Sequence, residues 1–536
     1  MPTLHWIGKD KVINHHMDVP FKVLEHSYGF DNGTQSDQET NSGNKIIHGD
    51  NLEALKALLP EYEGKVKCIY IDPPYNTGNE SWVYNDNVND PKIKKWLGQV
   101  VGKEAEDLTR HDKWLSMMYP RLKLLHKLLS DDGAIFISCD DNEQANLKLV
   151  CDEIWGSGNF INNIIWQKKY SPQNDARYLS DMHDFIIMYS KNKNSFKRNL
   201  LPRNDEQNNR YKNPDNDHRG VWKSSDLSAK RITEKDLYEI TTPSGRTVMP
   251  PKGRSWVVGK EKFEELVKEN RIWFGESGDN VPSVKKFLKE VQDGTVPVTL
   301  WLRNEVGDNQ EARQILKAIF NESNAPFETP KPPRLMERII RLATNENDII
   351  LDSFAGSAST AHAVLNINSS EASQRKFILI QVDETNKKGE AINIAEDVTA
   401  ERVKRVIKGY GNIDGTSGSF DFYELGQSMF LENGNLNELI GVKKIRQYVY
   451  YTETKTPLTE TKHKDNKHFL GKHNDTAYYF KYEQDEVTTL DHAFLATMKT
   501  KAEQYVIYAD NCLLTKDFMT KHHIIFKKIP RDITKF

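Results

Sequence analysis

The chain has 536 residues, of which 37% are hydrophobic and 28% are charged, and its formal net charge is -3. This length is enough for roughly three domains of ~100–200 residues each, and no run approaches the ~18 apolar residues of a membrane-spanning helix. The near-neutral net charge gives no indication of nucleic-acid binding, so a DNA-binding face has to be a local concentration of Lys and Arg.

Cysteine usage indicates a reducing compartment. The four cysteines (Cys68, Cys139, Cys151 and Cys512) form no CxxC pair, and the first two lie in apolar strand patterns that are typical of buried free thiols. No metal site is predicted, because the adjacent histidines near each end of the chain lack the spacing that ligands need. The N-terminus has early charges and no apolar segment, so we expect a soluble, cytoplasmic protein.

The N-terminal part of the chain begins with residues 1–44, which end in a polar stretch rich in Gly, Ser and Asn and are predicted to be a loosely held arm. Strand and helix patterns follow. Lys45–His48 is a predicted strand, Leu52–Leu59 is a predicted helix with apolar positions at i, i+3 and i+7, and Val66–Ile71 is a continuous apolar strand.

The tetrapeptide Asp72-Pro73-Pro74-Tyr75 follows this strand directly and is the most informative feature of the chain. The Asp72 carboxylate and the Pro73 carbonyl can both accept hydrogen bonds from an amino group, and proline fixes the turn so that this carbonyl points outward. Tyr75 offers an aromatic face on which a base can stack. The motif predicts a site that grips a flat, amino-bearing base; a proline-stiffened βα turn is the structural alternative.

Strand and helix patterns continue beyond a polar loop predicted over 76–110. The predicted strands are Ala134–Ser138, Phe160–Trp166, Phe185–Tyr189, Asp348–Leu351 and Phe377–Val382, and the predicted helices are His111–Leu129 and Ser359–Leu365. The second and third of these strands are expected to pair as an antiparallel edge. Strands separated by helices indicate an α/β fold with a doubly wound, mostly parallel sheet.

Residues 196–325 interrupt this pattern and are predicted to be an inserted domain that recognises DNA. The region is rich in Lys and Arg, with Tyr211, Trp222 and Trp256 among them, a composition that suits phosphate contacts and base-edge readout. An ordinary charged surface is the alternative. The candidate DNA-binding residues are Arg210, Lys212, Arg219, Lys223, Lys230, Arg231 and Arg254. Residues 411–536 are predicted to be a C-terminal domain, which is available for dimer or partner contacts although its sequence indicates none.

A second group of candidate residues lies where the strand ending at Asp352 enters the turn Ser353-Phe354-Ala355-Gly356-Ser357-Ala358 and opens a helix. Such a turn lets the backbone approach a ligand closely at the positive end of a helix, but alone it is a weak signal. Ligands of open α/β sheets sit outside the carboxyl ends of the strands. Two adjacent strands ending in this turn and in Asp72–Tyr75 would therefore bring a cofactor and an amino group face to face.

Together these motifs resemble the amino-methylating DNA methyltransferases that use S-adenosylmethionine, in the circular order called the β class. More narrowly, residues 45–410 resemble the modification (Mod) subunits of type III restriction–modification systems. The motifs that carry the resemblance are Gly49–Leu55, Asp72–Asn79, Thr329–Pro332 and Phe354–Ala358, in this order along the chain.

The resemblance implies a seven-stranded methyltransferase sheet, with a catalytic half at 45–195 and a cofactor half at 326–410 on either side of the target-recognition domain. It implies that Asp72, Pro73, Pro74 and Tyr75 hold an adenine, flipped out of duplex DNA, for methylation at N6. The residues implied to bind S-adenosylmethionine are Asp50, Asn51, Thr329, Lys331, Asp352, Phe354, Ala355, Gly356, Gln381 and Asp383. The resemblance also implies a homodimer. A separate restriction (helicase and nuclease) subunit is the other implied partner, since this chain has no P-loop sequence.

Two positions depart from the family. The family's turn reads FxGxG, whereas the last position here is Ala358, whose methyl group is expected to crowd the cofactor or to move the turn slightly. The strand after the cofactor helix often carries an acid for the ribose hydroxyls, and here that place falls on Gln381, with Asp383 two residues later. Weakened cofactor binding is a more natural expectation from Ala358 than inactivity, and the glutamine can still bond a diol.

Two alternatives stay open. The first keeps the chemistry and changes the substrate to cytosine N4, RNA or a protein glutamine; Asp72 favours adenine, because cytosine enzymes more often carry Ser before the prolines and glutamine enzymes Asn. The second is a DNA-recognition subunit with vestigial catalysis that targets a partner nuclease. Ala358 is the one sequence feature in its favour, and the intact Asp72–Tyr75 motif is against it.

Overall fold

A computed structural model of the protein describes residues 3–77, 106–174, 176–203, 205–291, 294–385, 391–459 and 465–531. The chain separates into two compact units. One comprises Met1–Asn199 and Val298–Phe536, and the other Leu200–Pro297. Gly78 and Asn79 of the predicted base-binding motif, and most of the loop predicted over 76–110, lie outside the described residues.

The larger unit is built on an eleven-stranded sheet with the order β8-β6-β7-β5-β4-β9-β10-β3-β11-β1-β2. These strands are β1 (Lys22–Asp31), β2 (Thr34–Ser36), β3 (Lys45–His48), β4 (Val66–Ile71), β5 (Leu129–Cys139), β6 (Phe160–Gln167), β7 (His183–Ser190), β8 (Leu300–Trp301), β9 (Ile349–Asp352), β10 (Lys376–Gln381) and β11 (Ser419–Ser428). The six strands from β5 across to β11 are parallel. Strands β7 and β1 add to them antiparallel on either side, so the predicted mostly parallel α/β sheet is confirmed.

Helices lie on both faces of this sheet. They are α1 (Asn51–Tyr62), α2 (Glu106–Leu128), α3 (Gln144–Trp155), α4 (Asn309–Phe320), α5 (Pro333–Ala343), α6 (Ser359–Glu371), α7 (Glu401–Lys408) and α8 (Val442–Thr454). A π-helical segment, Ala395–Ala400, leads directly into α7. The shorter helices are Lys9–Val12, His15–Asp18, Arg303–Val306, His492–Thr497 and Lys516–Lys521. Among the described residues, none of the helices is both long and apolar enough to span a bilayer.

The core has two layers because successive strand residues point to opposite faces of the sheet. Ile46 and Cys68 belong to the layer that packs against α4 to α7, whereas Ile47 and Ile69 belong to the layer that packs against α1, α2 and α3. All six residues of β4 are buried. Burial on both faces explains why the central strands read as continuous apolar runs rather than as alternating patterns.

Two strands of the sheet come from segments that the sequence did not assign to it. Strand β1 lies in the predicted loose arm, and β11 lies beyond residue 411; β11 pairs in parallel with β3 and antiparallel with β1. Between them, the rings of Tyr28 and Phe422 stack with centroids 5.1 Å apart. Without β11, the polar backbone edge of β3 would lack a partner, which is costly inside a packed domain. The sheet therefore has eleven strands, not seven, and includes residues on both sides of the predicted boundaries at 44 and 411.

The smaller unit, Leu200–Pro297, has a hydrophobic cluster of its own around Trp256, Phe263 and Leu227. Its three-stranded antiparallel sheet consists of Ile272–Trp273, Ser283–Phe287 and Trp222–Asp226, and its longest helix is Lys260–Lys268. This unit is narrower than the insertion predicted over 196–325. Residues 298–325 supply β8 and α4 to the larger unit instead, because Trp301 and Leu316 are buried in its core.

The C-terminal part of the larger unit carries a separate four-stranded sheet. Its strands, in spatial order, are Phe469–His473, Thr476–Phe480, Gln504–Ala509 and Ile524–Lys528. Tyr479 and Ile507 belong to the cluster that packs on one face of this sheet, and Ile445 and Tyr450 of α8 belong to the cluster that packs on the other.

We expect Phe422→Ala to lower the free energy of unfolding by about 3–5 kcal/mol, because it removes a buried aromatic ring from the strand that joins β3 to β1. Urea denaturation followed by tryptophan fluorescence measures this change. The exposed Gln35→Ala substitution on β2 is the control and should stay within about 0.5 kcal/mol of the wild type. A loss below that level for Phe422→Ala would contradict a central role of β11.

Candidate active site

The two predicted motifs end neighbouring strands. Strand β4 pairs in parallel with β9, with Cys68 opposite Ile350 and Ile69 opposite Leu351. Because parallel strands end at the same edge of a sheet, Asp72 and the turn after Asp352 emerge side by side. The predicted adjacency of the two strands is confirmed. Strands β10 and β3 continue the same edge.

The Asp72–Tyr75 turn leaves two polar atoms available at this edge. Oδ1 of Asp72 and the hydroxyl of Tyr75 are buried and have no hydrogen-bond partner among the described residues. Burial, with the Asp72 charge nearby, raises the pKa of Tyr75 well above its usual range, so the hydroxyl stays protonated. The turn itself is fixed from outside, since the Trp114 ring nitrogen donates to the Pro74 carbonyl at 2.7 Å.

The ammonium group of Lys331 lies beside the Asp72–Tyr75 turn. It donates to Oδ2 of Asp72 and stands 5.2 Å from the centroid of the Tyr75 ring and 5.9 Å from that of Trp166. The resemblance implied that Lys331 and Thr329 bind S-adenosylmethionine, which stays a prediction. In the structure Lys331 balances the charge of Asp72, while Thr329 is exposed.

A group of polar side chains supports the chain directly after the Asp72–Tyr75 turn. Asn76 adopts the left-handed conformation, with φ 57°, which asparagine tolerates better than most residues. Its side-chain nitrogen donates to Glu143, and that carboxylate also bonds His111 at 2.5 Å and Asn146 at 2.9 Å. The sequence analysis missed Trp114, Glu143 and His111; the one local signal was Asn76 directly after the motif.

The turn Ser353–Ala358, called the second turn below, is held in place by residues that were predicted to bind the cofactor. Asp352 accepts hydrogen bonds from the Phe354 N–H at 3.1 Å and the Thr360 hydroxyl at 2.6 Å. Gln381 accepts from the Gly356 N–H at 2.7 Å, and its amide nitrogen donates to the Val382 carbonyl at 3.0 Å. Both buried side chains thus hold backbone in place, so the predicted ribose contact of Gln381 has to be made by a side chain that is already engaged.

Gly356 is required by space and by conformation. Its φ is +49°, and an added Cβ would lie 2.9 Å from the ring of Phe327. Ala358 also has a left-handed backbone, with φ 61° and ψ 36°, and is fully buried. An L-residue with a Cβ pays about 1–2 kcal/mol for this conformation. The departure from FxGxG therefore lies at a position where glycine would be unstrained.

The remaining predicted cofactor residues lie at the ends of β3 and β10. Asp50 caps α1 by accepting from the Leu52 N–H at 2.9 Å, and its other oxygen accepts from Arg121 at 3.2 Å. Asn51 also accepts from Arg121 and donates to the Ser353 carbonyl at 3.1 Å, which ties the end of β3 to the second turn.

A histidine joins the acids at this edge. His48, the last residue of β3, hydrogen-bonds Asp383 through Nε2 and Glu424 through Nδ1, each at 2.8 Å. The side chains of the two acids remain 47% and 46% exposed, so each has a second oxygen available for a ligand. Among the described residues, no set of three or more His, Cys, Asp or Glu side chains is placed to hold a metal ion.

The candidate DNA-binding residues of the smaller unit fall into two classes. The exposed ones are Arg210, Lys212, Lys223, Lys230 and Arg231. Arg219 and Arg254 are half-buried and form ion pairs, at 2.7 Å with Asp217 and at 2.6 Å with Asp226. The Asp217 carboxylate also pairs with the buried Lys285 at 3.4 Å, so Arg219 stabilises the fold of this unit.

Comparison with known proteins agrees with this geometry. Residues 66–394 match the family model for N6/N4 methyltransferases, described as DNA methylase. The StyLTI Mod subunit, of a type III restriction-modification enzyme of Salmonella typhimurium strain LT2, is 36% identical over 391 residues, which cover 69% of this chain and 58% of the relative. The EcoP15I Mod subunit of Escherichia coli is 32% identical over 462 residues, which cover 76% and 69%. The type II methyltransferase M.KpnI of Klebsiella pneumoniae is 31% identical over 362 residues, which cover 63% and 81%.

The chain belongs to the N6/N4 DNA methylase family. Within that family its relatives include type III Mod subunits, so the resemblance seen in the motifs is confirmed. The chain spans 58% of the length of the StyLTI relative and 69% of the EcoP15I relative.

We expect Asp352→Asn to flatten the pH dependence of stability. Burial raises the pKa of Asp352 from its ordinary value of 3.8 to about 7. The native state therefore binds more protons than the unfolded state between about pH 4 and 7, so the free energy of unfolding falls as the pH rises through this window. The asparagine variant lacks this loss of stability. Between pH 4 and pH 8, its free energy of unfolding should therefore rise relative to that of the wild type by up to about 4 kcal/mol.

Urea denaturation at pH 4, 6 and 8 measures this slope. Asp131→Asn, at a side chain 87% exposed, serves as the control and should leave the wild-type slope unchanged. Equal slopes for Asp352→Asn and the wild type would mean that Asp352 is ionised without penalty in the native protein.

Proposed function

We propose that the protein is an S-adenosylmethionine-dependent DNA methyltransferase that methylates N6 of adenines flipped out of duplex DNA. We further propose that it acts as the modification and specificity subunit of a restriction–modification system. The observation that carries this proposal is the buried Oδ1 of Asp72, which has no hydrogen-bond partner within the described residues and lies at a strand end adjacent to the Gly356 turn. A buried acceptor without a partner is costly, and an exocyclic amino group is a donor that would satisfy it.

The residues of the second turn suit S-adenosylmethionine. The turn contains Gly356, where the ring of Phe327 lies against the position of a Cβ, and it stands at the positive end of α6, which favours a carboxylate. Asp383 and Glu424 add exposed acceptors for hydroxyl groups. When bound, S-adenosylmethionine supplies a methyl group activated by a positively charged sulfur.

The protein's own residues orient the nucleophile. An adenine amino group is a weak nucleophile because its lone pair is delocalised into the ring. Hydrogen bonds from that group to Oδ1 of Asp72 and to the Pro73 carbonyl would free the lone pair, aim it at the second turn and stabilise the positive charge that develops on nitrogen. Oδ1 is then also the nearest acceptor for the proton that the amine must lose.

Taking the base out of the duplex costs a few kcal/mol, which stacking on the Tyr75 ring would partly offset. Lys331 already lies over that ring and pairs with Asp72. An incoming amino group has to share the carboxylate with this ammonium or displace it. Target recognition is assigned to the smaller unit, through the five candidate basic residues that are exposed, and cleavage to a separate restriction subunit. Homodimerisation and a cytoplasmic location are proposed from kinship alone, with residues 429–531 as the segment available for partner contacts.

We expect Asp72→Ala to lower methyl transfer at least about 100-fold, because it removes the acceptor that aligns the amine, while binding to duplex DNA stays near the wild-type value. The measurement is mass spectrometry of nucleosides from unmethylated genomic DNA incubated with the protein and S-adenosylmethionine. Asp414→Ala, at an exposed acid of a hairpin, is the matched control and should retain full activity.

The product decides among the alternatives. N6-methyladenine made by the wild type and lost in Asp72→Ala supports the proposal. N4-methylcytosine would keep the mechanism and correct the base. Absence of any product, with measurable binding of cofactor and DNA, would favour a targeting subunit with vestigial catalysis.

We expect the double substitution Lys230→Ala and Arg231→Ala to weaken DNA binding. The slope of log K against log salt should also become shallower, by about 1 for each phosphate that the two cations neutralise in the wild type. Fluorescence anisotropy with a labelled duplex at several salt concentrations measures both. Lys262→Ala is the control, because Lys262 is an exposed cation of the same unit that is already paired with Glu265 at 2.7 Å. An unchanged salt slope in the double variant would place the DNA-binding face elsewhere.

A further inference from the structure

The last residue of the second turn, Ala358, has a backbone conformation that alanine does not favour. Ala358 has φ 61° and ψ 36° and is fully buried, at the position where the family's motif has its last glycine. Glycine adopts this left-handed conformation freely, whereas alanine does not. In this chain, some other interaction has to hold the turn closed.

Arg402 of α7 bonds the residues on both sides of Ala358. Its Nη1 donates to the Ser357 carbonyl at 2.8 Å, to the Ser357 hydroxyl at 2.9 Å and to the Ser359 hydroxyl at 3.0 Å. The other terminal nitrogen, Nη2, lies 3.2 Å from Nδ1 of His362. The planar, forked guanidinium can satisfy several acceptors at once, and here those acceptors bracket the strained residue.

The burial of Arg402 is unusual for a charged group. The side chain is fully buried, and no acidic residue of the described ranges forms an ion pair with it. Burial lowers the pKa of Arg402 to about 10, which still leaves it charged at neutral pH. An uncompensated buried charge is costly to keep, so its bonds to the turn have to offset that cost.

A second side chain reinforces the same turn. The Thr399 hydroxyl donates to the Gly356 carbonyl at 2.6 Å. On the other side, the Ser359 hydroxyl that Arg402 contacts donates to the Lys331 carbonyl at 2.7 Å. The hydrogen bonds of Arg402 with Ser357 and Ser359, called the bracket below, therefore connect the second turn to Lys331, whose ammonium pairs with Asp72.

We propose that Arg402 is a positioning residue for cofactor binding, which holds Ser357 and Ser359 on either side of Ala358 and so keeps the turn in the conformation that glycine would adopt unaided. The inference rests on the proposed function, since S-adenosylmethionine is taken as the ligand of the turn. In this chain, Arg402 thus compensates for the alanine that replaces the last glycine of FxGxG.

A double-mutant cycle on the full-length protein tests this proposal, with S-adenosylmethionine affinity measured by isothermal titration calorimetry. We expect Arg402→Lys to raise Kd about tenfold, because a single ammonium cannot replace the fork. Ala358→Gly alone should change Kd by less than about threefold. In the double variant, glycine no longer needs the bracket, so Kd should return to within about threefold of the Ala358→Gly value.

Two further variants separate positioning from general stability. Arg375→Lys alters another buried arginine of the same unit, which bonds the Ser373 hydroxyl at 2.6 Å and that of Thr344 at 3.0 Å; it should lower Tm without changing Kd. Thr399→Val removes one hydrogen bond from the turn at constant volume. Thr399→Val should therefore also raise Kd, and adding Ala358→Gly should restore the affinity. This variant tests the proposal even where Arg402→Lys fails to fold.

The outcomes are distinct. Weaker binding that Ala358→Gly rescues supports the proposal. Wild-type affinity in both Arg402→Lys and Thr399→Val, or a loss that Ala358→Gly does not rescue, overturns it and leaves Arg402 as a stabilising residue only. Absence of S-adenosylmethionine binding by the wild type would overturn the proposed function, and this inference with it.

Discussion

The parallel pairing of β4 with β9 is the constraint on which the candidate site depends. The Asp72 motif and the Gly356 turn are far apart in the chain, and the backbone hydrogen bonds between these two strands bring their ends to one edge. Such pairing requires strands that are buried on both faces, and hence helices on both sides. The two-layer core follows from this requirement. So does the pairing of β11 with the edge of β3 that faces away from β10, and of β1 with β11.

Charge at this edge is divided unequally between two acids. Asp352 is buried, and its two oxygens accept hydrogen bonds from Phe354 in the turn and from Thr360 at the start of α6; burial raises the pKa of Asp352 to about 7. Asp72 has the ammonium of Lys331 as a partner for one oxygen, and its other oxygen has no partner in the part of the chain that the structure describes. Two carboxyl groups of the same chemical type thus serve different purposes: one holds backbone, and the other is available to a ligand.

The sequence predicted the central strands and both motifs because their signals are local: apolar runs, prolines and a glycine turn. It did not predict β1 and β11, since their mixed patterns become strands only when they pair with each other and with β3. Trp114, Glu143 and Arg402 were missed for a related reason, because each is an ordinary residue of a helical region or its flank. Gln381 lies beside the Gly356 turn, and its bond to the Gly356 N–H depends on the spacing of β9 and β10, which no sequence pattern reveals.

The departure at Ala358 has to be considered together with the residues packed against the turn. A motif describes one turn, whereas the free energy of that turn includes the residues packed behind it. The π-helical segment Ala395–Ala400 runs directly into α7, and Thr399 and Arg402, three residues apart, share the helical face that meets the turn. π-helical segments often occur at functional sites because they re-aim side chains within a helix. The glycine missing from the turn and the arginine buried beneath it are therefore best considered as a single structural unit.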